Sequence, residues 1–249
     1  MLHGCWGHDF TEVSIMNAAA KALPRDPEHG LYVGALVVAF AAVFAGFART
    51  YYLKSLFGTP ALPWLVQLHG ALMTAWFALF FTQTWLIASH RVAWHRRLGV
   101  LGAMLALAIL VVGPVVLVLA VARELHAPHG NRFFITIFGF DLVVLTGFGI
   151  LVGSALALRR RSDFHKRLML LATCSIIVPA IARLPIGELP VWGLFYACVL
   201  LPAIVDTVRH RRLHPVFGWG APLLIASQQL ALLGAHTQVW RDFVVRLFA

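Results

Sequence analysis

Long apolar runs separated by short polar segments dominate this chain. Leu31–Ala48 contains 18 residues without a formal charge, and Pro60–Ser89 contains none either. Further runs cover Leu98–Ala122, Phe133–Leu158, Leu168–Ala182, Leu189–Val208 and Phe217–His236. Crossing a hydrocarbon core of about 30 Å takes roughly 20 helical residues, and these runs have that length or close to it. In lipid the backbone must satisfy its own hydrogen bonds, which leaves helices and closed barrels. Barrel strands alternate apolar and polar positions over about ten residues, and these uninterrupted runs do not. The pattern therefore predicts an all-α polytopic membrane protein with seven transmembrane helices over residues 30–238. Residues 1–29 read as an N-terminal tail and residues 239–249 as a short C-terminal tail.

Composition agrees. Hydrophobic residues make up 60% of the 249 residues and charged ones 12%, about half the charged share of a soluble domain. The net charge of +10 would suggest nucleic acid as a partner in a soluble protein. Here most cations sit between the apolar runs, so no nucleic-acid partner is implied. The loops after the second, fourth and sixth runs hold three, five and three Lys or Arg, and the other loops two, two and one. Cations favour the cytoplasmic side. The N-terminus is therefore expected inside, the C-terminus outside, and the membrane is read as a bacterial inner membrane. Residues 1–29 lack the basic start and apolar core of a cleavable leader. His3, Cys5 and His8 stand close together there, either as a small metal site or as part of a tail.

Candidate chemistry begins with a repeat. Arg91, Trp94, His95, Arg96, Arg97 and Leu98 recur seventy positions later as Arg161, Phe164, His165, Lys166, Arg167 and Leu168. Each copy opens an apolar run entering from the same side, so His95 and His165 are expected at equal depth on parallel helices. That placement suits two histidines ligating one metal or haem iron from opposite faces, with Arg97 and Arg167 pairing with propionates or anionic headgroups. The same residues equally suit interfacial anchoring.

A second group lies deeper. His69 is about seven residues inside its run, roughly 10 Å deep at 1.5 Å per residue, and Asp141 lies at a similar level. A carboxylate at such depth faces the bundle interior and takes a partner, for which His69, Arg183 and His236 are the candidates. The group reads as a polar clasp between helices, as a proton or quinone site, or as a place where His69 ligates metal or haem.

Several classes are excluded. The lysines Lys21, Lys54 and Lys166 all lie outside the apolar runs, so no retinal Schiff base forms in the last helix. There is no phosphate-binding glycine loop with its lysine, and no Cys-x-x-Cys pair. The spacings of His90 to His95 and His210 to His214 resemble the histidine boxes of membrane di-iron hydroxylases and desaturases, yet the chain lacks their adjacent His-His pairs. The His95-Arg96-Arg97-Leu98-Gly99 opening, following a run that ends at Trp85 and His90, resembles bacterial multi-pass families of unknown function. It is also similar to the helix openings of membrane cytochromes of the cytochrome b561 kind. That resemblance implies haem b held by paired histidines, and electron transfer with quinone as a candidate partner. In that family the ligands lie well inside the helices, where His69 is; His95 and His165 stand at the mouths. The alternative is a non-enzymatic membrane subunit, assembled with other membrane subunits, or a small-solute carrier, with these residues as anchors and clasps.

Overall fold

The computed structural model describes residues 27–127 and 133–248, and among them every regular element is helical. Nine α-helices follow in order: α1 Pro27–Phe47, α2 Trp64–Ala88, α3 Val92–Leu125, α4 Phe133–Ala157, α5 Ser162–Ser175, α6 Val178–Ile181, α7 Glu188–His210, α8 Ala221–Ala235 and α9 Gln238–Phe248. A π-helical turn, Ala48–Tyr52, prolongs α1, and another, Val216–Gly220, leads into α8. Among the described residues six segments are long and apolar enough to cross a membrane: α2, α3, α4, α5 with α6, α7, and α8 with its preceding turn. Their outward positions are apolar. On α3, for example, Met104, Leu107 and Val111 form an exposed stripe at helical spacing, as lipid contact requires.

α5 is the central helix. With α6 it forms the most enclosed segment, 72% buried over its most apolar stretch against 17–39% in the other five. α2, α4, α7 and α8 pack around it, with Trp76, Phe148, Leu171 and Phe195 in the core. The Trp76 indole meets Phe148 edge-on at 4.8 Å and donates to Thr173 Oγ1 on α5 at 3.3 Å. α5 stops short because Pro179 has no N–H to give the Ser175 carbonyl four residues earlier. Gln228 on α8 fills that place, its Nε2 donating to Ser175 O at 2.8 Å.

Both collar-bearing helices begin earlier than their apolar runs. α3 starts at Val92 and α5 at Ser162, so both copies of the repeated collar lie on the first turns of helices. His90, with φ of 56°, takes the left-handed conformation that turns α2 into α3, and Arg211 (φ 52°) does the same after α7. α9 is helical where the sequence pattern suggested only a tail. Its Trp240 donates to Ile135 O at 3.0 Å, and Val244 is fully buried beside Val121, Ile135 and Phe138.

Gly46 marks a close helix approach. A Cβ there would run into the Ala180 carbonyl of α6. Gly46→Ala should therefore push α1 from α6 and cost about 1–3 kcal/mol. Gly147, where a Cβ meets open space, is the control. Equal thermal shifts for Gly46→Ala and Gly147→Ala in detergent would refute the assigned contact.

Candidate functional site

The collar residues meet at one end of the bundle, where α2 and α4 end and α3 and α5 begin. Because the two collars open parallel helices, His95 and His165 come together, with ring centroids 6.3 Å apart and planes 82° apart. His165 Nδ1 is 2.8 Å from the Ala155 carbonyl at the end of α4. A carbonyl only accepts, so Nδ1 carries the proton and Nε2 keeps its lone pair. His95 is held differently. With its nitrogen toward the ring, the Gln83 amide donates to His95 Nδ1 at 2.7 Å and to the His95 carbonyl at 3.2 Å, and its oxygen accepts from Gly99 N at 2.9 Å. His95 Nδ1 is then the acceptor and its proton sits on Nε2. The pair thus offers one acceptor and one donor nitrogen.

Three of the collar cations lie over aromatic rings. Arg97 lies over Trp94 at 5.4 Å, Arg91 over Trp85 at 5.2 Å and Arg161 over Phe164 at 5.8 Å. Arg167 departs from this pattern. It is buried and grips Asp206 on α7 with two bonds, Nε to Oδ2 at 3.0 Å and Nη2 to Oδ1 at 2.5 Å, while Nη1 donates to Asp163 O at 2.7 Å. Asp206 is the functional candidate that sequence reasoning passed over. Its position near a helix end reads as interfacial, although the carboxylate is only 3% exposed.

His214 completes this cluster. Val216 N donates to its Nδ1 at 3.2 Å, which leaves Nε2 3.5 Å from Asp163 Oδ2. Burial, and then the Arg167 charge, push the His214 pKa below its ordinary value, against the hydrogen bond to Asp163 and the charges of Asp163 and Asp206. The folded protein therefore takes this proton less readily than the unfolded chain, whose histidine titrates near 6.5. The stability contribution is complete above about pH 6.5 and is lost as pH falls toward the lower folded-state value. Thermal midpoints measured from pH 7 to pH 5 should fall less in His214→Gln than in the wild type. Identical slopes would exclude His214 as the source.

At the opposite end the deeper polar residues gather around Arg183, just after α6. Both His69 and Asp141 lie within its electrostatic reach. The expected direct bond from Asp141 to His69 or Arg183 does not form. Arg183 instead donates to the Pro179 carbonyl and lies over Phe47 at 4.6 Å. His236 binds its own helix through Leu232 O at 2.8 Å. His69 Nδ1 is buried without a hydrogen-bond partner. Since 14 residues separate His69 from Gln83 on α2, about 21 Å divides the two ends, and Trp76 stands midway. His69 is thus not a third ligand for the His95–His165 pair, and among the described residues no three His, Cys, Asp or Glu side chains gather to hold a metal ion. His3, Cys5 and His8 lie outside the described residues.

No protein family, curated protein or solved structure matches this chain. The site is read from its own geometry.

Proposed function

We propose that this multi-pass membrane protein moves electrons within the bilayer, holding b-type haem between His95 and His165 and exchanging electrons with quinone. The 6.3 Å separation of the two imidazole centres carries this reading. Two imidazoles on one metal ion, each bonded at about 2 Å, stand about 6 Å centre to centre. Each ring turns freely about such a bond, so perpendicular planes are compatible. His165, with Nδ1 given to a backbone carbonyl, already has the orientation that a hydrogen-bonded partner imposes on a ligating histidine. His95 reaches the same state when the Gln83 amide turns its oxygen toward Nδ1. Arg167 is committed to Asp206, so of the matched pair Arg97 and Arg167 it is Arg97 that would neutralise a propionate. The haem would supply one-electron redox chemistry. At the other end, His69 with its unpartnered Nδ1 would take up and release protons, and Asp141 would balance the Arg183 charge. The cation count of the loops supports an N-terminus in the cytoplasm of a bacterial inner membrane.

A second reading has its own support. Gln83 donating to His95 Nδ1 and three cations stacked on collar aromatics suit a non-enzymatic membrane subunit or small-solute carrier with an anchoring collar. The visible spectrum of protein purified from haem-replete cells separates the two. Electron transfer requires a Soret band that shifts on dithionite and is lost in His95→Ala and His165→Ala. A wild type without that band leaves the anchoring reading in place.

A further inference from the structure

We propose that the cavity between the first turns of α5 and the end of α7 binds an anionic phosphate group, supplied by a phospholipid headgroup or by free phosphate. The cavity holds about 210 Å³ and is lined by Lys166 and Arg167 of α5, Asp206 and His210 of α7, and Arg212 and His214 of the linker to α8, with Asp163 at its edge. Three cations against two carboxylates leave a net charge of +1 with the histidines neutral. Arg167 and Asp206 cancel each other through two direct bonds and form a fixed wall. Among the remaining lining residues the cations outnumber the one carboxylate, Asp163, and a bound anion would neutralise the excess.

Donors are also fixed in place. Val216 N–H holds His214 Nδ1 as an acceptor, so the neutral imidazole presents an Nε2–H. That N–H meets Asp163 Oδ2 at 3.5 Å, a long contact to a carboxylate that is 53% exposed and able to swing away. An incoming phosphate oxygen would take its place. The cavity sits at helix mouths, the level of lipid headgroups, and basic pockets between transmembrane helices suit such groups. Beside it Leu213 (57% exposed) and Trp219 (76% exposed) present apolar surface. Acyl chains would cover that surface, which favours a lipid over a free ion.

The test uses the full chain in detergent. Native mass spectrometry would follow binding of phosphatidylglycerol and of phosphatidylcholine with the same chains, with and without inorganic phosphate. Preferential phosphatidylglycerol binding is expected, weakened about tenfold or more in Lys166→Gln/Arg212→Gln. Arg159→Gln/Arg160→Gln, which removes two exposed cations outside the cavity, should bind as the wild type does. Arg212→Glu alone, at an exposed position, gives the same answer should the double variant fold poorly. Competition by inorganic phosphate would identify free phosphate as a ligand of the same site; lipid binding that phosphate leaves unchanged would identify the headgroup. Equal binding of the two lipids without an effect of phosphate, or equal losses in the cavity variants and the control, would overturn the proposal.

Discussion

Asp206→Ala should lower the stability of the bundle by about 3–5 kcal/mol, the range for removing one partner of a buried ion pair. Arg167 would remain charged, since a guanidinium does not give up its proton in a protein. With its side chain 4% exposed, it would lose both carboxylate bonds and keep only the Asp163 carbonyl at 2.7 Å. The loss would come mostly from stranding that charge. Replacing both members with apolar residues of similar volume, as in Arg167→Met/Asp206→Leu, should therefore recover most of it. Thermal unfolding in detergent measures all three proteins. A double variant as unstable as Asp206→Ala would mean that the pair itself, rather than the stranded charge, carries the energy.

The other large effect belongs to Gln83. Its amide now gives an N–H to His95 Nδ1 while accepting from Gly99 N, which holds the His95 proton on Nε2. Glutamate has only acceptors when ionised. In Gln83→Glu one oxygen would still accept from Gly99 N and the other would draw the imidazole proton to Nδ1, freeing Nε2. Partners of this kind typically change ligand affinity 10–100-fold, so Gln83→Glu should bind added haem at least about tenfold more tightly than Gln83→Leu. His165→Ala should bind poorly whichever residue stands at 83. A Soret titration gives the affinities, and equal values for the Glu and Leu variants would show that Gln83 does not set the His95 tautomer.

Much of this architecture could be read from the runs and the repeat. Equal spacing of the collar from two apolar runs brought His95 and His165 together, because parallel helices entering at one face align their first turns. Helix starts were less legible. Hydropathy rises at Leu98 and Leu168, but a helix begins where backbone hydrogen bonds begin, and His95 N and His165 N already bond back to Arg91 O and Arg161 O. Depth can be counted along a run at 1.5 Å per residue, whereas rotation about the helix axis cannot. That is why counting along the runs led to an expected bond from Asp141 to His69 or Arg183, which the structure does not form, His69 Nδ1 having no hydrogen-bond partner. The Arg167–Asp206 pair spans 39 residues, too far along the chain for local sequence to reveal that Arg167, unlike its counterpart Arg97, takes a carboxylate partner.

The early end of α5 bears on how the protein is made. A helix of 14 residues rises about 21 Å, short of the roughly 30 Å hydrocarbon thickness. The backbone that follows turns over inside the protein, where Ser175, Ile176 and Ile177 are almost wholly buried. Irregular backbone is tolerated at such depth only under protein cover. The segment is also much less hydropathic than α3, 1.4 against 3.0. The central helix is thus a poor independent passenger for the insertion machinery. Its stable place in the bilayer depends on partners in the bundle: α2, α3 and α4 precede it along the chain, and α8, which supplies Gln228 to the break, follows it.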